Sequence, residues 1–296
     1  MGSNTTAILT LCVSLLLSGC ALSPQAALDA IEREGAALDF RPARLGTAPV
    51  LAAMLRTRGT GGTLWVMIEG DGRAWLGMHE PSRDPTPVDA AGWRLARAIT
   101  AGKVLYLARP CQFLMAQSPH RADHCTVQSW TGERFADHWV AQMDSAIDEA
   151  LRMAGASRVI LAGYSGGGTM AALIALRRKD VEALITLGAP LDHRAWTHHH
   201  GVTPLEGSLN PSDAQQRLAE LPQLHITGLR DETVPPVLIE RYVAAYAAIA
   251  PDAPAAILRL DADHTMQVTI DLARLPIPLK KSTGRAPTTG GPHTLP

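Results

Sequence analysis

The fold is decided by residues 158–180, which read RVILAGYSGGGTMAALIALRRKD. Residues 158–164 are apolar throughout after Arg158, which predicts a buried strand. Residues 166–180 are rich in alanine and predict a helix. Only Ser165 separates the two elements, so the chain must pass from strand to helix within one residue. We therefore expect a strained backbone at Ser165, with the flanking glycines relieving the crowding.

The same alternation of strands and helices extends along the chain. Further strands are predicted at residues 63–72, 103–110, 182–190, 223–229 and 255–263, and helices at 89–102, 138–156 and 237–250. Strands that alternate with helices form a parallel sheet with helices on both faces. We expect an α/β domain over residues 41–275, preceded by a tether and a short helix at 21–40 and followed by a polar tail at 276–296.

Composition excludes some classes of function. Hydrophobic residues make up 46% of the 296 residues and charged residues 19%, as in a folded globular protein. The 27 Lys and Arg residues against 28 Asp and Glu residues give a net charge of −1. With no basic run, no nucleic-acid partner is expected.

The first twenty residues have the pattern of an export signal. Residues 7–17 form an apolar run of about eleven residues, the length of a signal-peptide core and too short to span a bilayer. The run ends in Leu17-Ser18-Gly19-Cys20, which resembles the bacterial lipobox, although no Lys or Arg precedes it. We expect residues 1–20 to be a lipoprotein signal peptide and Cys20 to carry a lipid anchor, with the protein on the outer membrane facing the periplasm. An ordinary secretory signal is the alternative.

Export affects the interpretation of the remaining cysteines. If Cys20 carries lipid and the cysteine within the signal is removed, Cys111 and Cys125 remain as a pair. In an oxidising envelope we expect them to form a disulfide. A zinc site that also uses His120 and His124 is the alternative, but it lacks further ligands at regular spacing.

Residues 163–167 read GYSGG, a G-x-S-x-G sequence typical of a nucleophilic serine on a strand-to-helix turn. The motif alone is weak, but the predicted strand before it and helix after it strengthen it. Such a turn lifts the Ser165 hydroxyl above the carboxyl ends of the strands, where α/β sheets bind ligands. A structural glycine-rich turn is the alternative. A phosphate-binding loop is excluded because no Lys-Ser or Lys-Thr pair follows the glycines.

A serine nucleophile needs a base, and the base needs an orienting acid. Asp231 follows the strand at 223–229, and His264 follows the strand at 255–263. Ser, Asp and His in this chain order, each just after a strand, predict a catalytic triad on one edge of the sheet. Asp261 and Asp263 are rival acids, but they lie too close to the His264 strand to point at the base well.

The oxyanion of an acyl-transfer reaction needs two N–H donors. The first is expected to be the backbone N–H of Gly166, at the start of the helix after Ser165. The second is expected from the Glu69-Gly70-Asp71-Gly72 turn, with the N–H of Asp71 as the best candidate and that of Gly72 as the next. Many esterases carry His-Gly where this chain has Glu-Gly. A plain turn after a strand is the alternative.

Residues 60 to about 265 resemble the α/β-hydrolase fold superfamily, and in particular a group of bacterial envelope hydrolases. The resemblance lies in the stretches IEGDG, ARPCQF, GYSGGG, GAPLDHRAWT, PLEGSLNP and GLRDETVPP. It implies an α/β-hydrolase fold, a triad of Ser165, Asp231 and His264, and hydrolysis of an ester, thioester or amide. It implies no cofactor and does not name a substrate. Where a regular closing helix is usual, the segment after His264 is broken by two prolines.

Residues 191–222 form a long insertion between two predicted strands, and such insertions are usually lids or pocket walls. Asp192, His193 and the run 198–200 of three histidines raise the possibility of a metal site. Helix capping, hydrogen bonding and solvent exposure explain them better, and no metal is expected.

Together these features predict a serine hydrolase that cleaves carboxylesters or thioesters of a small-molecule or acyl substrate through an acyl-enzyme. A serine peptidase or amidase with the same triad is one alternative. A non-catalytic envelope module on a hydrolase fold is the other.

Overall fold

Eight strands and seven α-helices make up the computed structural model, which describes residues 23–77, 80–100, 102–114 and 124–278. The strands are β1 (Arg41–Leu45), β2 (Leu51–Arg56), β3 (Thr63–Ile68), β4 (Lys103–Leu107), β5 (Arg158–Tyr164), β6 (Val181–Leu187), β7 (Gln223–Gly228) and β8 (Ala255–Leu260). The helices are α1 (Pro24–Ala36), α2 (Ala91–Ala98), α3 (Val127–Trp130), α4 (Asp137–Ala154), α5 (Gly166–Ala175), α6 (His193–His200) and α7 (Pro236–Ile249). Within these ranges, two 3-10 segments lie at Pro211–Leu218 and Leu272–Arg274.

The strands form a single sheet in the order β1-β2-β4-β3-β5-β6-β7-β8. β2 pairs antiparallel with both β1 and β4, and every other neighbouring pair is parallel. The prediction of a mostly parallel sheet is therefore confirmed, with an antiparallel edge that the sequence analysis did not predict. The chain of β2, LAAMLR, is rich in alanine and lacks β-branched residues, and β1 is a short edge strand that contains Pro42. Neither has the composition by which strands are recognised.

Helices cover both faces of the sheet, as predicted, and alternate residues along each strand separate the two cores. On β3, Val66 and Ile68 face the core formed with α4, α5 and α7, whereas Trp65 and Met67 face the core formed with α1 and α2. This alternation follows from the two-residue period of a strand. The centre of the described sheet is therefore buried on both faces.

Several elements are shorter than predicted, and one of these differences shapes the site. β3 ends at Ile68, where a strand to residue 72 was expected, so residues 69–72 form a loop beyond the strand. α5 ends at Ala175, where a helix to residue 180 was expected. After His264 the described chain contains only the 3-10 turn Leu272–Arg274, in agreement with the prolines that follow.

The insertion at 191–222 contains α6 and the first 3-10 segment. Asp192 caps α6, since its Oδ1 accepts hydrogen bonds from the backbone N–H groups of Arg194 and Ala195. The side chain of Asn210 donates to the same Asp192 oxygen, which ties the start of α6 to the start of the 3-10 segment. Within the described residues, no three His, Cys, Asp or Glu side chains are grouped so that they could hold a metal ion.

Some predicted features fall outside the part of the chain that the structure describes. These are the signal peptide with Cys20, the candidate zinc ligand His120 and residues 279–296 of the tail. None of the described helices is both long and apolar enough to cross a bilayer.

Candidate active site

Ser165 lies at the tip of the turn between β5 and α5. Its backbone has φ 51° and ψ −127°, a conformation that non-glycine residues rarely adopt. The Ser165 N–H donates a 2.8 Å hydrogen bond to the carbonyl of Leu187 on the neighbouring strand β6, which helps to hold the turn in place. The predicted strain is therefore present, and it is concentrated on the residue that carries the candidate nucleophile.

The first and last glycines of the motif are required by close backbone contacts. A Cβ atom on Gly163 would lie 2.2 Å from the carbonyl oxygen of Gly167, and one on Gly167 would lie 2.3 Å from that of Glu69. Both distances are far below van der Waals contact. The G-x-S-x-G spacing thus allows α5 to begin directly against the ends of β5 and β3.

His264 joins the two other predicted triad residues. Its Nε2 lies 3.1 Å from Ser165 Oγ, and its Nδ1 lies 2.9 Å from Asp231 Oδ2. An ionised carboxylate can only accept a hydrogen bond, so Nδ1 carries the hydrogen and Nε2 is free to accept the serine proton. This is the tautomer that a general base for Ser165 needs.

The carboxylate of Asp231 is held on its other side as well. Its Oδ1 accepts a 2.7 Å hydrogen bond from the backbone N–H of Val234, and its side chain is inaccessible to solvent. The rival acids lie elsewhere: Asp263 accepts hydrogen bonds from Thr265, and Asp261 pairs with Arg230. Only Asp231, among the three candidate acids, contacts the imidazole.

Gly166 and Asp71, the two residues predicted to supply the oxyanion donors, lie close together. Gly166 begins α5, and a Cβ atom on it would lie 2.0 Å from Asp71 Oδ1. Within the described chain, neither the Gly166 N–H nor the Asp71 N–H donates a hydrogen bond to another group. An unused N–H group at the start of α5 and another in the loop after β3 are the donors that an oxyanion would need.

Glu69 is part of this site, although the sequence analysis noted it only as a departure from the usual His-Gly. It is almost completely buried, and its carboxylate accepts four hydrogen bonds of 2.9 to 3.2 Å, from the backbone N–H groups of Gly70, Gly92 and Trp93 and from the Tyr106 hydroxyl. Burial raises the pKa of Glu69, and these hydrogen bonds oppose the rise. Because Ala90 offers α2 no side-chain cap, Glu69 caps that helix from the end of β3.

The side chain of Asp71 binds two arginines that sequence analysis did not single out. Its Oδ1 lies 3.0 Å from Arg109 Nη1, and its Oδ2 lies 2.6 Å from Arg134 Nη1. Burial acts to raise the pKa of Asp71, but the two guanidinium groups outweigh it and hold that pKa below its usual value. The Asp71 carboxylate is therefore ionised beside Gly166.

The expected disulfide is present and adjoins the loop after β3. Cys111 and Cys125 are bonded, with their Cα atoms 5.7 Å apart. The neighbouring Gln112 donates a 2.9 Å hydrogen bond from Nε2 to the carbonyl of Gly70. The disulfide thus lies beside a side chain that holds the loop after β3.

A cavity of about 460 Å³ opens above Ser165 and His264. Its wall includes apolar side chains from separate parts of the chain, namely Trp75, Val88, Phe135, Trp196 and Leu205. Trp75 and Val88 are 42% and 67% exposed, so they form an apolar rim at the mouth. Trp196 and Leu205 come from the insertion at 191–222, which contributes one wall as expected.

Three solved structures show the fold of this chain. It is similar to an esterase of Pyrococcus furiosus, with a TM-score of 0.53 and 12% identity over 77% of this chain and 84% of that one. It is similar to an acylaminoacyl peptidase of Pyrococcus horikoshii, with a TM-score of 0.54 and 14% identity over 77% of this chain and 38% of that one. It is also similar to a puromycin-hydrolyzing peptidase of Mycobacterium tuberculosis, with a TM-score of 0.50 and 18% identity over 76% and 36%.

This chain therefore has the α/β-hydrolase fold, and it spans little more than a third of the length of the two peptidases, 38% and 36%. Comparison of the sequence with protein-family models and with curated proteins gives no match.

Proposed function

We propose that this protein is a serine hydrolase that cleaves carboxylester or thioester bonds through an acyl-enzyme. The observation that supports it most strongly is the continuous hydrogen-bonded chain from Ser165 Oγ to His264 Nε2 at 3.1 Å and from His264 Nδ1 to Asp231 Oδ2 at 2.9 Å. A nucleophile, a base and an orienting acid in contact are what this chemistry requires.

In the first half of the reaction, Ser165 Oγ attacks the carbonyl carbon of the substrate while His264 Nε2 takes the hydroxyl proton. The charge that develops on the carbonyl oxygen is received by the N–H groups of Gly166 and Asp71. Asp231 remains ionised and stabilises the imidazolium through Nδ1. When the tetrahedral intermediate collapses, His264 gives its proton to the departing alcohol or thiol, and an ester on Ser165 remains.

In the second half, His264 removes a proton from a water molecule that attacks the acyl carbon. The same two N–H groups receive the second oxyanion. His264 then returns the proton to Ser165 Oγ as the carboxylic acid leaves. The cycle therefore consumes one water and needs no group that the chain does not supply.

A fluorophosphonate reagent tests the proposal directly, because it labels only an activated serine. The folded protein should be labelled on Ser165, and both Ser165→Ala and His264→Ala should abolish labelling. Ser157→Ala is the matched control, since Ser157 is exposed and lies at the opposite end of β5, and it should be labelled as the wild type is. Absence of labelling in folded wild-type protein would favour the non-catalytic module.

The apolar rim of Trp75 and Val88 favours esters with apolar groups, since such surfaces bind apolar parts of ligands. An amidase is the second candidate, because two of the similar structures are of peptidases. A series of p-nitrophenyl esters of graded chain length, compared with aminoacyl-nitroanilides, separates the two. Higher kcat/KM for the nitroanilides would replace the esterase assignment with the peptidase one.

We also propose that the chain is exported and anchored by a lipid on Cys20 at the outer membrane. The support is the lipobox-like sequence before Cys20, together with a disulfide between Cys111 and Cys125 that suits an oxidising compartment. Metabolic labelling with an alkyne fatty acid should mark the wild-type protein and not Cys20→Ser. Labelling of both proteins, or of neither, would contradict the assignment.

A further inference from the structure

Two buried arginines share one carboxylate beside Ser165. The side chains of Arg109 and Arg134 are 5% and 7% exposed, and Asp71 is the acidic residue to which both are bound in the described chain. The cluster of these three residues, the Asp71 cluster, therefore carries one positive charge in excess. Buried charge is costly unless it is compensated, so this arrangement favours a further anion nearby.

The excess charge lies next to the reacting atoms. Asp71 Oδ1 would be only 2.0 Å from a Cβ atom on Gly166, the residue that supplies the first oxyanion donor. The Asp71 cluster thus contacts the start of α5, one residue from Ser165. A group that binds the cluster is therefore close to the scissile carbonyl.

Arg134 presents the excess charge to the cavity. Its Nε donates to the carbonyl of Thr131 at 2.9 Å and its Nη1 binds Asp71, whereas its Nη2 makes no hydrogen bond with any described residue. Arg134 also lines the cavity, beside Phe135 and Trp196. A guanidinium with an unused amino group in a cavity wall is a ready donor to a carboxylate.

The other charged groups in the wall do not compete for this donor. Glu69 is occupied by its four donors, and Asp89 accepts two 2.8 Å hydrogen bonds from Arg94. At the mouth, Arg73 lines the same cavity and is exposed, and its side chain pairs with no acid in the described part of the chain. The unpaired charge of the cavity is therefore positive at both its inner wall and its mouth.

We propose that the substrate is an ester that carries a carboxylate on its acyl or alcohol part, and that Arg134 binds this carboxylate while Arg73 attracts it at the mouth. The inference rests on the proposed hydrolase function and deepens it, because it names the substrate class. A carboxylate on either part would present the same chemistry to Arg134. The test therefore uses one pair of esters for the acyl part and another for the alcohol part.

Matched esters test the substrate class in the wild-type protein. Mono-p-nitrophenyl adipate and p-nitrophenyl hexanoate share a six-carbon acyl chain and differ by a terminal carboxylate. The acetyl esters of para-hydroxybenzoate and para-hydroxybenzamide differ in the leaving group, which carries a carboxylate in the first and an uncharged carboxamide in the second. One acidic ester should exceed its neutral partner in kcat/KM by about tenfold or more, after subtraction of uncatalysed hydrolysis. Equal or lower kcat/KM for both acidic esters would overturn the inference and leave the hydrolase function standing.

Variants assign the preference to Arg134. Arg134→Gln should remove most of the preference, Arg134→Lys should retain part of it, and Arg73→Gln should reduce kcat/KM for the acidic ester alone. Arg158→Gln is the control, because Arg158 lies at the start of β5, at the end of the strand away from Ser165, and pairs with Glu182. A preference that persists in both Arg134→Gln and Arg73→Gln would refute the assignment.

Binding without catalysis separates this inference from the hydrolase proposal and covers an Arg134 variant that fails to fold. In Ser165→Ala, monomethyl adipate should bind more tightly than methyl hexanoate by about tenfold, and 1 M salt should reduce the difference only in part because Arg134 is buried. Binding of the acid in a protein that resists fluorophosphonate labelling would refute only the hydrolase function. Equal binding of the two esters would refute only the carboxylate site.

Discussion

The hydroxyl of Tyr164 donates a 2.8 Å hydrogen bond to the backbone carbonyl of His264. Tyr164 precedes Ser165 directly, so the candidate nucleophile and base are tied by a bond that does not involve their reactive atoms. The ring of Tyr164 also packs against the loop after β3, where a Cβ atom on Gly70 would lie 2.8 Å from it. One side chain thus contacts the turn, the base and the oxyanion loop.

Removal of this hydroxyl should slow catalysis. We expect Tyr164→Phe to lower kcat about fivefold with little change in KM, since the ring remains and one hydrogen bond that positions His264 is lost. Tyr246→Phe is the matched control: its buried hydroxyl donates to the carbonyl of Leu218, away from the cavity, so its loss should leave kcat unchanged. Steady-state kinetics on one ester checks both. An unchanged kcat in Tyr164→Phe would show that the bond does not position the base.

The carboxylate of Glu69 should be needed for stability. In Glu69→Gln the side-chain amide nitrogen can only donate, yet all four partners of Glu69 are donors, so at least one buried hydrogen bond is lost and two donors face each other. We expect the free energy of unfolding to fall by about 2 kcal/mol, measured by urea denaturation. The surface variant Glu240→Gln, which affects only an exposed ion pair with Arg259, should change it little. A Glu69→Gln protein as stable as the wild type would contradict the capping role.

The disulfide should contribute through loop closure. Cys111 and Cys125 are 14 residues apart in sequence, and closing a loop of this length is worth about 3 kcal/mol on the chain-entropy estimate. The double variant Cys111→Ser, Cys125→Ser should therefore lose about 3 kcal/mol in urea denaturation. A reducing agent should destabilise the wild type to a similar extent and leave the double variant unaffected. Equal sensitivity of both proteins would mean that the reagent acts elsewhere.

Burial of His225 should make stability depend on pH. His225 has no exposed surface, its Nδ1 lies 2.9 Å from Thr186 Oγ1, and burial lowers its pKa from 6.5 to about 4. As the pH falls below 6.5, His225 is therefore protonated in the unfolded chain before it is protonated in the folded one. The free energy of unfolding decreases until about pH 4. Above pH 6.5 this residue makes no pH-dependent contribution.

We expect the wild type to lose about 3 kcal/mol more than His225→Asn between pH 6.5 and pH 4, as measured by urea denaturation at each pH. His138→Asn, at an exposed position on α4, should retain the wild-type dependence. Parallel stability curves for the wild type and His225→Asn would refute the expectation.

The residues that sequence analysis found share one property, which is that each follows a recognisable strand. Ser165, Asp231 and His264 could be named because β5, β7 and β8 are predominantly apolar segments, and the geometry brings all three together. The loop after β3 could be named for the same reason.

The roles of Arg109, Arg134 and Glu69 have no such local signal, although Glu69 and Arg109 also lie just after strands. Asp71 is 38 residues from Arg109 and 63 residues from Arg134, and nothing local marks either arginine as buried. Glu69 is an acid at the end of a strand, and its role as the cap of α2 depends on Gly92 and Trp93, which lie 23 and 24 residues further on. Burial and pairing of charged groups are properties of the folded chain, so a single sequence does not reveal them.

The order of the strands in the sheet has a consequence for the growing chain. β8 pairs with β7 alone, at the edge of the sheet, and His264 follows β8. Ser165 and the loop after β3 are therefore synthesised well before His264, and a chain that has folded only through β6 lacks the proposed base. The proposed triad is complete only when the edge strand β8 has docked, so the onset of hydrolysis would report the completion of folding.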